Sequence, residues 1–147
     1  MLKGISPLLT ADLLHALASM GHGDEIAIVD ANFPAATLGR RLVSLPGAGS
    51  HEALAAVLEV LPLDTSEPPP VLTMEVIGDA EAIPEPVTDF AAVLADAGHA
   101  DVEMGHLERQ AFYARARDAY AIVRTGELRP YGNVLLVKGT VNRVESR

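Results

Sequence analysis

Met20-Gly21-His22-Gly23-Asp24-Glu25-Ile26-Ala27-Ile28-Val29-Asp30 is the stretch that decides the fold. A helical segment leads into it from Ser6 to Met20, with Thr10 or Ser6 as N-cap and Leu13, Leu14 and Leu17 on one face. Gly21 suits the left-handed position that ends a helix. Glu25 to Val29 then reads as a mostly buried strand that closes at Asp30. Helix, glycine turn and apolar strand make up half of an α/β unit.

The same alternation continues outward. A second short strand is expected around Arg41 to Leu45, and Ser50 is expected to cap a helix from His51 to Leu61. Pro62 and Pro68-Pro69-Pro70 mark a loop. Strand Val71 to Ile77, helix Pro86 to Ala97, short strand Val102 to His106 and helix Glu108 to Arg117 follow. Ala119 to Arg124 and Val134 to Lys138 read as apolar strands joined through Gly126, Pro130 and Gly132. That connection is too short for a helical crossover, so the last strand is antiparallel to its predecessor or paired elsewhere. The expectation is an α/β fold, one domain over 1–147, with a mixed, largely parallel sheet flanked by helices.

Composition narrows the function classes. The 147 residues are 49% hydrophobic and 21% charged, which suits a folded core rather than disorder. No cysteine is present, which excludes disulfides, thiolate metal sites and a thiol nucleophile, and fits a reducing compartment. A net charge of −9 argues against nucleic acid and anionic membrane surfaces as partners. The segment Met1 to Pro7 lacks a basic region followed by an apolar run, and no apolar stretch approaches the ~20 residues of a membrane span. A cytoplasmic protein is expected.

Three places can carry chemistry. His22 sits between glycines, which leave its imidazole accessible, and a histidine can take and return protons near neutral pH. Asp30 should stand at a strand's carboxyl end, where open α/β sheets collect ligands. Spacing alone fits equally a helix end with a solvated histidine and an aspartate capping the next turn. Tyr131-Gly132-Asn133 offers a phenol and a carboxamide to a polyhydroxylated ligand, or else a Pro130-led turn whose Asn133 bonds its own backbone. Arg109, where a strand passes into a helix, can bind hydroxyls or a carboxylate, or be a surface residue. Other patterns carry less. Pro46-Gly47-Ala48-Gly49-Ser50-His51 imitates a dinucleotide fingerprint, but Glu52 stands where a third glycine is needed. His51, His99 and His106 lack metal-ligand spacing, and there is no phosphate loop or nucleophile elbow. Phe112 and Tyr113 read as core or rim packing.

Taken in order, Leu2-Lys3-Gly4-Ile5-Ser6-Pro7-Leu8-Leu9, Met20-Gly21-His22-Gly23-Asp24-Glu25-Ile26, Asn32-Phe33-Pro34-Ala35, Phe112-Tyr113-Ala114-Arg115-Ala116, Thr125-Gly126-Glu127 and Tyr131-Gly132-Asn133 resemble the fucose mutarotase branch of the family that also contains the ribose pyranases. The likeness runs from Met1 to about Gly139 and is loose from Arg40 to Asp101. It implies a ribose pyranase-like fold and a cofactor-free, metal-free isomerase that interconverts sugar anomers. His22 would transfer protons, Asp30 would orient His22 or bind sugar hydroxyls, and Tyr131 would contact sugar and could relay a proton. Arg109 and Asn133 would bind the substrate, a monosaccharide. Arg109 stands where fucose-type members carry Arg and ribose-type members His, while Asn32 replaces a histidine found in some bacterial members. The family forms homo-oligomers, often ring-like decamers, with the sugar site at subunit contacts. A ribose-type pyranase and a non-catalytic sugar-binding protein are the alternatives.

Overall fold

Thr10 closes the first turn of helix α1 (Ala11–Ser19) by accepting the Leu13 amide at 3.3 Å, leaving Leu13, Ala16 and Leu17 to face the core. Residues 7–10, read as part of this helix, form the turn before it. At its other end Met20 is extended, and the left-handed glycine is Gly23 (φ 87°), not Gly21. The Lys138 ammonium caps the last carbonyls, donating to Leu17 O at 2.7 Å and Met20 O at 2.6 Å.

The computed structural model describes residues 1–143. Strand β1 (Glu25–Val29) lies inside one six-stranded sheet, between β5 (Ala121–Thr125) and β6 (Val134–Val137). The remaining strands are β2 (Leu42–Leu45), β3 (Val71–Met74) and β4 (Met104–Leu107), and the order across the sheet is β2-β5-β1-β6-β3-β4. Pairs without β6 are parallel, whereas β6 runs antiparallel to both β1 and β3. Only eight residues, 126–133, separate β5 from β6, too few for a parallel crossover. The chain therefore turns back and inserts β6 two places away.

Alternation along β1 feeds two cores. Ile26 and Ile28 pack with α1, α3 (Ser50–Leu58) and α4 (Glu85–Asp96) through Leu17, Leu54, Val57, Phe90 and Leu94. Ala27 and Val29 face the other side, against α2 (Ala35–Leu38) and α5 (Arg109–Asp118) through Phe33, Leu38, Phe112 and Ala116. Helix α2, not foreseen from the sequence, is four residues long. Ser50 is the first residue of α3, and Gly49 holds the cap position, where its amide donates to Glu52 at 2.8 Å.

Because β6 is reversed, the chain enters it at the edge of the sheet where β1, β3, β4 and β5 end. Asp30, Arg109 and the 126–133 loop converge there, at the carboxyl ends where α/β sheets bind ligands.

Candidate active site

Asp30 and Asn133 form the buried head of a cleft at this edge. The Asp30 amide donates to Asn133 Oδ1 at 2.8 Å, and Asn133 Nδ2 donates back to Asp30 Oδ2 at 3.1 Å. Asp30 Oδ1 accepts the Asn32 amide at 2.9 Å. The two side chains lock each other, which leaves little freedom to rotate out of the site. Burial pushes the Asp30 carboxyl above its ordinary range, against the hydrogen bonds from Asn32 and Asn133.

Tyr131 stands on the opposing loop in a left-handed conformation, φ 63°, which costs a bulky residue roughly 1–3 kcal/mol. Its hydroxyl oxygen accepts the Ile77 amide at 3.1 Å. Gly132 beside it must be glycine, since a Cβ there would lie 2.7 Å from Glu127 Cγ and 3.0 Å from Ser50 Oγ. The third wall is α5. Glu108 caps it, accepting the Gln110 amide at 2.8 Å and the Ala111 amide at 3.1 Å, which sets Arg109 on the first turn. The Arg109 guanidinium lies 5.7 Å from the Tyr113 ring centre, and Tyr113 meets Phe33 edge to face at 5.2 Å.

These groups line an open cleft of about 450 Å³. Asp30, Asn133, Tyr131 and Arg109 bring polar atoms to it, and Phe33, Met74 and Tyr113 supply an apolar side. That volume admits a monosaccharide.

His22 is elsewhere. It precedes β1, whereas Asp30 follows it, so the two lie roughly 20 Å apart at ~3.3 Å of rise per strand residue. A buried Asp64 joins His22, its Oδ2 3.3 Å from Nε2, while the imidazole stays half exposed (55%). The isolated bridge Leu63↔Lys138 and the Gly23 amide donating to Lys138 O at 2.8 Å bring the two segments together. Asp64 is held below the ordinary carboxylate range by hydrogen bonds from the Ser66 hydroxyl (2.5 Å) and amide (3.0 Å), assisted by His22. Asn32 is exposed at the cleft rim.

Of the residues singled out from sequence, Asp30, Arg109, Tyr131 and Asn133 meet in one cleft and His22 lies at the far edge of the sheet. Sequence reasoning missed Asp64, whose Asp-Thr-Ser run carries an Asx-turn signal. It assigned no ligand role to Phe33 or Tyr113. Among the described residues, no three His, Asp or Glu side chains gather into a metal-binding group.

A shallow cleft with a carboxyl, a carboxamide, a phenol and a guanidinium beside aromatic rings defines a protein of the carbohydrate-binding class. The RbsD / FucU transport protein family model matches residues 3–141, and the chain belongs to that family. It is 43% identical to the fucose mutarotase of Homo sapiens, over 95% of this chain and 94% of that protein. The solved fucose mutarotase of Streptococcus pneumoniae in complex with L-fucose superposes with a TM-score of 0.89 at 36% identity, covering 96% of this chain and 100% of that one. The Bacillus subtilis RbsD complexed with D-ribose gives 0.74 at 25% identity, covering 97% and 100%.

Proposed function

We propose that this chain is a cofactor-independent mutarotase that interconverts the α and β anomers of L-fucose, or a sugar close to it, at a site completed by a second copy of the chain. The observation that carries the reading is the division of polar groups between the two edges of the sheet. The Asp30–Asn133 cleft can bind a sugar but has no histidine in its lining, whereas half-exposed His22, paired with buried Asp64, offers a proton-transfer group outside that cleft. A head-to-tail contact between copies would join them. Exposed Ile77 and Leu128 flank the cleft, and exposed Val60 and Val141 share a surface hollow with Lys138, the residue tied to the His22 turn. Contacts between copies would cover such apolar side chains.

Mutarotation breaks and remakes the bond between the anomeric carbon and the ring oxygen. His22 would take the anomeric hydroxyl proton while the Tyr131 hydroxyl passes one to the ring oxygen, and the bond between the anomeric carbon and the ring oxygen breaks to give the open-chain aldehyde. Rotation about the first carbon–carbon bond and reversal of these transfers deliver the other anomer. Asp64 would orient the imidazole and stabilise its protonated form. Asp30, Arg109 and Asn133 would hold the hydroxyls, and Tyr131 would hold the ring and relay a proton. Proton transfer by a positioned group contributes roughly 10²–10⁴-fold, about 3–5 kcal/mol of barrier. A shallow cleft supplies enough orientation for that. Phe33, Met74 and Tyr113 offer a place for the methyl group that distinguishes a 6-deoxy sugar, which favours fucose over ribose. With no cysteine to protect, the chain suits the cytoplasm.

Saturation-transfer NMR tests the reading on L-fucose, with D-ribose and galactose alongside. Wild type should accelerate fucose exchange most. Retained binding with no exchange above buffer would make this a sugar-binding protein instead.

A further inference from the structure

Asp30 ends a central strand and Arg109 opens a helix, but Tyr131 and Asn133 stand on the 126–133 loop. A contact 1 Å out of place weakens a site greatly, so a loop that presents two of them needs support. A network around Glu127 and Arg129 provides it. Glu127 Oε1 accepts from Arg129 Nη2 at 2.9 Å, and Oε2 accepts from Arg129 Nε at 3.1 Å and from the Arg129 amide at 3.2 Å. This forked pairing fixes the guanidinium plane. The remaining Arg129 nitrogen, Nη1, reaches α4, donating to Asp89 Oδ2 at 2.8 Å and Glu85 Oε1 at 3.0 Å. Ser50 of α3 donates to Glu127 Oε1 at 3.2 Å, and the Glu127 carbonyl accepts the Ala31 amide at 2.8 Å, one residue beyond Asp30.

Resting on the reading of the cleft as a sugar site, we propose that the Glu127–Arg129 pair is a positioning device for Tyr131 and Asn133. Glu127 and Ser50 pack close to the backbone of Gly132, the residue between the two sugar-facing side chains: a Cβ there would lie 2.7 Å from Glu127 Cγ and 3.0 Å from Ser50 Oγ. Arg129 braces the same loop against α4. Together they hold Tyr131 in its left-handed conformation, which the residue would leave if released. Neither Glu127 nor Arg129 lines the cleft, so both act through their neighbours.

Arg129→Met and the milder Arg129→Lys test this, with anomer exchange on L-fucose as one readout. Arg129→Met should lower kcat/KM about tenfold, chiefly through KM, and Arg129→Lys should recover part of the loss because it keeps the charge without the fork. In a Tyr131→Ala, Asn133→Ala background, Arg129→Met should cost less than about twofold more, since the groups it positions are gone. An equal loss in both backgrounds overturns the proposal. A second readout does not depend on activity. The chain has three tyrosines, so 3-fluorotyrosine labelling gives three fluorine resonances, assigned by Tyr→Phe substitution. Arg129→Met, or Arg129→Lys if the Met variant does not fold, should move the Tyr131 resonance and leave Tyr120 in place. An unmoved Tyr131 signal overturns the proposal whether or not the wild type proves to be a mutarotase. A wild type without exchange activity but with a shifted Tyr131 signal sinks the function and keeps the brace.

Discussion

The two ends of β1 hold two carboxylates in opposite electrostatic settings. At the entry, Asp64 accepts hydrogen bonds from Ser66 and His22, and these hold it below the ordinary range. At the exit, burial pushes Asp30 up although Asn32 and Asn133 donate to it. Environments that push such groups apart sort acid–base roles. The entry carboxylate stays charged beside an exposed imidazole and suits a proton acceptor's partner. The exit carboxyl is protonated more readily and suits donation to, or acceptance from, a sugar hydroxyl. One strand thus separates the His22–Asp64 pair from the cleft, and in the proposed reading a second copy reunites them.

The largest effect expected is at the entry. His22→Ala should remove the whole roughly 10²–10⁴-fold acceleration of fucose exchange while leaving the circular dichroism spectrum and melting temperature nearly unchanged, because the side chain is half exposed. Asn133→Ala should impair exchange by a different route, through substrate binding and loss of the Asp30 lock. Mixing the two impaired proteins after dissociation and reassociation then separates one-chain from two-chain sites. If copies share the site head to tail, about a quarter of the sites in a random assembly regain both groups, and exchange reappears. No recovery in demonstrably mixed assemblies would confine each site to one chain and break the division between the strand ends.

A smaller effect concerns pH. A carboxyl with a raised folded pKa favours folding below its unfolded pKa, and that contribution is lost as pH rises through the folded value. Asp30 should therefore make stability decline with pH just above the ordinary carboxylate range of about 3.9. Asp30→Asn, measured by urea denaturation across this window, should flatten that decline. Asp64→Asn should do the reverse, removing stability that the wild type loses as pH falls. Slopes of the same sign at both positions would refute the contrast between the ends.

The parts of this arrangement legible in the sequence are those that local rules determine. Asp30 closes an apolar run, and the rule for α/β strand ends places it at a ligand edge. Tyr131 and Asn133 follow a turn into a strand, and their motif carries the family resemblance. The Asp30–Asn133 hydrogen bonds span 103 residues, however, and depend on β6 inserting between β1 and β3, which no local periodicity encodes. Asp64 lies in the segment where the resemblance is loose, and it reaches His22 through one isolated bridge at Leu63. The aromatic wall was missed for another reason. Phe33 is oriented just ahead of α2, a single turn of helix too short to show a 3.6-residue pattern.

Glu127 provides the smallest and sharpest test, because it lies at the cleft end yet behaves like Asp64. Arg129, by forked hydrogen bonding, lowers the Glu127 carboxyl from 4.5 to about 2, while Asp30 a short distance away is raised. A depressed carboxyl contributes stability that is present above its unfolded pKa and lost as pH falls through its folded one. The window for Glu127 therefore runs from about 4.5 down to about 2, and the full shift is worth about 3 kcal/mol at most. Glu127→Gln should lower stability at neutral pH by about that amount or less and flatten the acid limb of the denaturation midpoint within the window. Its loss in fucose exchange should appear mainly in KM. If the acid limb flattens while KM stays put, the ion pair stabilises the fold without bracing the loop. If both move, the charge that secures this edge of the sheet also aims its sugar-binding groups.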